Sequence, residues 1–186
     1  MEALLVSIGV VARAEMGDKT QLLSLVLAAR FRRPLPIVLG ILAATLLNHA
    51  LAGAAGAWIT ALLGPDVMRW VLGLSFVAMG IWTLIPDKLD PVDARLHGRG
   101  IFGATFVAFF LAEMGDKTQV ATVALAAKFS ALSAVVAGTT LGMLLANVPV
   151  VLLGDKLTSR IPLRLMRVLA ALVFVILGVA AIGLRY

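Results

Sequence analysis

The sequence predicts an all-α integral membrane protein with six transmembrane helices, arranged as two inverted three-helix repeats. Three observations carry that expectation. The 186 residues are 61% hydrophobic and only 14% charged, with mean hydropathy +1.04, whereas soluble domains carry about 25% charged residues. Apolar runs of roughly the 20 residues a spanning helix needs recur along the whole chain. The chain also repeats itself at a constant offset of 98 residues.

The runs place helices at about 2–29, 35–61, 67–85, 101–128, 131–153 and 163–184. The first is not a cleavable signal: it has no basic n-region, and Arg13, Glu15 and Asp18 interrupt its apolar centre. Pro34 and Pro36 open the second helix, and Gly64-Pro65 separates the second from the third. Residues 86–100 form the one polar linker, and Pro162 opens the sixth helix. These divisions give a first three-helix repeat over 1–85, a linker over 86–100 and a second repeat over 101–186.

The duplication is specific. Residues 14–31 (AEMGDKTQLLSLVLAARF) and 112–129 (AEMGDKTQVATVALAAKF) agree at 12 of 18 positions. The same offset relates Met68-Arg69 to Met166-Arg167, Phe76-Val77 to Phe174-Val175, and Gly80 to Gly178. A composition artefact would not hold one register over three helices. Three spans per unit is an odd number, so the second copy enters the membrane from the opposite face, as in many secondary transporters.

Charge sets the orientation. With alternating spans, one face collects Arg30, Arg32, Arg33, Lys88, Arg95, Arg99, Lys156, Arg160, Arg164 and Arg167, and the other only Arg69, Lys128 and Arg185. The richer face is cytoplasmic by the positive-inside rule. Both termini are then expected outside and the 86–100 linker in the cytoplasm. Equivalent loops have diverged accordingly: RFRRP after the first helix, KFSAL after the fourth. This distribution also accounts for the net charge of +6 without a nucleic-acid partner. The absence of cysteine excludes disulfides and thiolate metal sites. With no targeting extension and little beyond the two repeats, the expected location is a bacterial inner membrane. A homodimer is compatible with so small a carrier.

The chemistry lies at mid-membrane. Glu15, Asp18, Glu113 and Asp116 fall near the centres of the first and fourth helices. A single acid there costs about 2.5–3.5 kcal/mol on insertion scales, so four are expected to face one another across the repeat interface. Glu15 and Asp18 are spaced i,i+3, which puts them on one face of an unbroken helix. Gly17 between them permits close approach or a break, and a break would free carbonyl oxygens as ligands. Thr20, Gln21, Thr118 and Gln119 add neutral oxygens. Four carboxylates with hydroxyl, amide and backbone oxygens suit a hard divalent cation such as Ca2+, Mg2+ or Mn2+. Zn2+ or Cu+ would call for Cys or His, and only His49 lies within a span. Crowded carboxylates repel one another, so the empty site is expected to take up protons and the cation to displace them. Lys19 and Lys117 are expected either to neutralise acids in the empty site or to sit in permanent salt bridges.

E-M-G-D-K-T, twice on long apolar helices about 100 residues apart, resembles the pattern E-x-G-D-[KR]-[ST] of the Golgi manganese/calcium transporter (GDT) family and its bacterial relatives. The resemblance covers the whole chain. It implies a cation/proton antiporter for Mn2+ and Ca2+, and manganese export in bacteria, with the ion as substrate and no resident cofactor. It implies Glu15, Asp18, Glu113 and Asp116 as ligands, with Thr20 and Thr118 nearby. The central loop departs from the eukaryotic pattern: Asp87, Asp90 and Asp93 are balanced by Lys88, Arg95 and Arg99, which argues against a regulatory metal site there.

Other functions fit less well. The acids could bind the ammonium of a small cationic organic solute such as an amino acid, given a wide cavity. They could also form a polar clasp holding the repeats together. An enzyme is not expected: the G-x-G-D of membrane aspartyl proteases fails at Glu15 and Glu113, and no intramembrane Ser–His or zinc set exists. Asn48 and Asn147 are expected to hydrogen-bond between helices. His49 is a weaker candidate for carrying protons, because Asn147 stands at the equivalent place. Arg13 is expected to snorkel or pair. Gly40, Gly53, Gly56, Gly138 and Gly142 are expected to permit close packing.

Overall fold

A computed structural model describes residues 1–63, 65–85, 100–153 and 163–183. The expected linker, apart from Gly100, lies outside the described residues, as does the 154–162 stretch with Pro162, Lys156 and Arg160. Among the described residues there are eight helices and no strand. They are α1 Glu2–Glu15, α2 Lys19–Phe31, α3 Pro34–Leu62, α4 Pro65–Thr83, α5 Ile101–Glu113, α6 Lys117–Lys128, α7 Leu132–Leu153 and α8 Leu163–Gly183.

Two of the expected helices are therefore each two shorter ones. The run 2–29 breaks at Met16-Gly17-Asp18 and the run 101–128 at Met114-Gly115-Asp116. The cause is local. Met16 and Met114 turn to extended backbone (ψ 113° and 117°). Gly17 and Gly115 follow at φ +86° and +75°, a region costly for any residue with a Cβ. Asp18 and Asp116 then restart the helix as N-caps, the position their residue type prefers. At the far end of α2, Arg32 takes a left-handed cap conformation and its N–H donates to Ala28 O at 2.9 Å. Pro34 then sits at the first turn of α3, where a missing N–H costs nothing.

The packing follows small residues. α3 lies against α5 and α6, α7 lies against α1 and α2, and α4 packs on α8. A Cβ on Gly40 would lie 2.7 Å from Thr105 Cβ, and one on Gly138 would lie 2.7 Å from Ser7 Cβ. Both glycines and both partners are 98 residues apart, so the α3–α5 and α7–α1 contacts use equivalent positions. Phe76 of α4 and Phe174 of α8, also 98 apart, stack with centroids 6.3 Å apart.

Polarity is inverted relative to a water-soluble protein. Trp58, Leu62, Leu145, Ile176 and Val179 are exposed, while Glu15, Glu113, His49, Asn147 and Thr118 are fully buried. Water would favour the reverse. α3 and α7 are by length and hydropathy able to cross a membrane, at mean hydropathy 1.9 each.

Candidate cation site at the two helix breaks

The breaks bring four half-helix ends together: the C-termini of α1 and α5, carrying Glu15 and Glu113, and the N-termini of α2 and α6, capped by Asp18 and Asp116. All four acids are buried to 2% exposure or less. Their environments are not alike.

Glu15, Glu113 and Asp116 each place one carboxylate oxygen within 4.8 Å of the others. Thr20 Oγ1 donates to Glu15 Oε2, and Thr118 Oγ1 donates to Glu113 Oε2 at 2.8 Å. The second oxygen of each glutamate, Oε1, is buried without a hydrogen-bond partner among the described residues. Buried acceptors are nearly always satisfied, which makes these two oxygens, beside a third carboxylate, candidate ligand atoms.

Asp18 stands outside that trio. Its Oδ1 accepts from Lys19 N–H at 2.7 Å and its Oδ2 pairs with Lys117 Nζ at 2.9 Å. Asp116 makes no side-chain cap bond. It pairs instead with Lys19 Nζ at 3.1 Å, and Thr118 Oγ1 lies 3.5 Å from its Oδ2. The two lysines thus cross over: each pairs with the aspartate of the other motif.

The glutamines hold the breaks. Gln21 Oε1 accepts from Gly17 N–H and Gln119 Oε1 from Gly115 N–H, both at 2.8 Å. Each restores a bond that the lost helical turn left open. Gln21 Nε2 also donates to Ala146 O of α7 at 2.9 Å.

Around this centre, Asn48 Nδ2 donates to Phe110 O at 3.1 Å, and Asn147 Oδ1 accepts from Ser24 Oγ at 2.8 Å. Both asparagines therefore bond between helices. The Ser24 contact was not foreseen; its sequence trace is the hydroxyl kept at the equivalent place, Thr122. His49 is fully buried with neither ring nitrogen partnered among the described residues. Arg13 is exposed in the last turn of α1.

A helical chain with an apolar exterior and carboxylates sequestered at broken helices has the features of a membrane ion transporter. The sequence model described as "Divalent cation/proton antiporter GDT1" matches residues 3–91 and 101–184. A Vibrio cholerae protein named "Putative manganese exporter" is 54% identical over 97% of this chain and 90% of its own length. "GDT1-like protein 3" of Oryza sativa subsp. indica is 28% identical over 93% of this chain and 71% of its length. "GDT1-like protein sll0615" of Synechocystis is 28% identical over 90% of each chain. No solved structure matches the chain significantly. The chain belongs to the GDT1 family. It is a membrane transport protein for divalent cations and not an enzyme.

Proposed function

We propose that the chain is a secondary carrier of Mn2+, and of Ca2+ where that ion competes, exchanging the cation for protons at Glu15, Glu113 and Asp116. The observation that carries this reading is the trio itself, three buried carboxylates with two oxygens unpartnered. Their spread of 4.8 Å is close to the span of two oxygens on opposite sides of an ion at about 2.3–2.6 Å each. Charge is in keeping: three ionised carboxylates sum to −3, and a divalent ion offsets two of those charges. The C-terminal ends of α1 and α5 add the negative ends of their helix dipoles, which favour a cation. Full burial of both glutamates favours a small ion over a bulky organic solute. The manganese in the name of the Vibrio relative puts Mn2+ first. Protons would occupy the same oxygens when the ion leaves, since bare carboxylates in an apolar interior are costly.

In this reading α1–α2, α3 and α4 form one three-span unit, and α5–α6, α7 and α8 form its inverted copy. The offset of 98 and the equivalent contacts at Gly40 and Gly138 support that arrangement. The expected setting is a bacterial inner membrane, with both termini outside and the 86–100 linker in the cytoplasm. Asp18 would act through Lys117 and through its cap rather than as a ligand.

The test is reconstitution in liposomes carrying a metal dye and a pH dye. Mn2+ is expected to enter as protons leave, and Glu15→Gln and Glu113→Gln are each expected to abolish both signals. Metal flux that moves no protons would remove the exchange. Transport surviving in both variants would move the site elsewhere.

A further inference from the structure

The two crossed ion pairs are chemically the same and structurally different, and the difference bears on how the carrier resets. Lys117 is 3% exposed, and its partner Asp18 is already engaged as the cap of α2. Lys19 is 22% exposed, and its partner Asp116 belongs to the three-carboxylate trio. Among the described residues, Lys19 pairs at 3.1 Å with a carboxylate of that trio, and it is the less buried of the two lysines.

We infer that Lys19 is a tethered cation, occupying the transported ion's place at Asp116 while the carrier is empty and leaving it when the ion binds. The proposal rests on the cation-carrier reading above. Its physical basis is competition. An ammonium and a divalent ion within contact distance of one carboxylate repel strongly where the dielectric is low, so both cannot hold Asp116. Asp116 without a counter-ion in the metal-free carrier would be expensive to enclose. A lysine that swings in supplies that charge, and lowers the barrier for the metal-free site to pass from one membrane face to the other.

Two fluxes separate these steps. Exchange of labelled external Mn2+ for unlabelled internal Mn2+ returns a loaded carrier, so it needs no passage of the metal-free site. Net Mn2+ uptake into metal-free liposomes does. Both are measured at equal pH on the two sides. In Lys19→Gln the ratio of net flux to exchange flux is expected to fall by about tenfold or more, and the Mn2+ concentration that half-saturates exchange is expected to drop because the competitor is gone. Lys19→Arg keeps the charge and is expected to restore the ratio. A wild-type ratio in Lys19→Gln would overturn the proposal. So would loss of both fluxes together in a variant that stays monodisperse with a wild-type thermal transition, since Lys19 would then be needed for binding itself. If the wild-type protein exchanged no Mn2+, the carrier reading would fall, which is a different result.

Discussion

The segments around Gly17 and Gly115 share E-M-G-D-K-T and the same break, yet they place their aspartates in different roles. Asp18 is held from two sides, by the first N–H of α2 and by the ammonium of Lys117. Asp116 lacks the cap bond and lies with Glu15 and Glu113. The lysines mirror this, with Lys117 sealed in and Lys19 partly open. In the proposed site the second motif supplies two of the three carboxylates and the first supplies one. Identical residues acquire different functions when the elements facing them differ.

The largest effect expected from that asymmetry separates the two aspartates. Asp18→Asn takes from Lys117 the carboxylate that compensates its charge in a site only 3% exposed. Removing one partner of a buried pair costs about 3–5 kcal/mol, so thermal unfolding in detergent should show a large drop. Asp116→Asn leaves a lysine that is 22% exposed. Its stability cost should be smaller, but the rise in thermal stability that added Mn2+ is expected to give the wild-type protein should vanish. Equal stability losses in the two variants would erase the distinction.

How much of this was legible in the sequence depends on the range of the cause. The broken helices were half legible. Gly17 and Gly115 signal that a break is permitted, but E-M-G-D-K-T reads equally well on one face of a continuous helix. What decides it is the extended backbone at Met16 and Met114 together with the glutamine that caps each break, and the glutamines' part became visible only in three dimensions. The four acids were legible as a buried group, because no isolated charge survives at such a place. Their division into three and one was not. Two motifs identical over eight residues cannot reveal which lysine is sealed in and which aspartate keeps its cap, because both depend on the helices packed opposite. Asn48 and Asn147 were legible as interhelical hydrogen bonds, though one register apart, and the partners Phe110 O and Ser24 came from packing.

A second pair sharpens the same contrast one layer out. Asn147 of α7 and His49 of α3 occupy equivalent places at the 98-residue offset. Asn147 accepts from Ser24 and donates to Met143 O at 3.1 Å, whereas neither His49 nitrogen is partnered among the described residues. Asn147→Ala would orphan the Ser24 hydroxyl between α2 and α7, at an expected cost of about 1–3 kcal/mol. His49→Leu would remove two unsatisfied polar atoms and should leave stability unchanged or raised. Thermal unfolding of the two variants side by side tests this, and transport adds a second reading. If His49→Leu is as stable as wild type yet slower in Mn2+ flux, the imidazole has a part in transport that its packing does not require.

The smallest expected difference lies between the glutamines that cap the breaks. Each accepts from a glycine N–H at 2.8 Å. Only Gln21, among the described residues, also donates across to a carbonyl, that of Ala146 on α7. Gln119→Ala should therefore cost one hydrogen bond and Gln21→Ala two, a gap of about 1 kcal/mol. Amide exchange distinguishes where the loss falls. Gly115 should lose protection in Gln119→Ala with little change elsewhere. Gln21→Ala should expose Gly17 and also loosen the contact between α2 and α7, since the side chain that bridges them is gone. If both variants lose protection only at their own glycine, the Ala146 bond contributes nothing, and the tighter hold on the first motif rests on the Asp18–Lys117 pair alone.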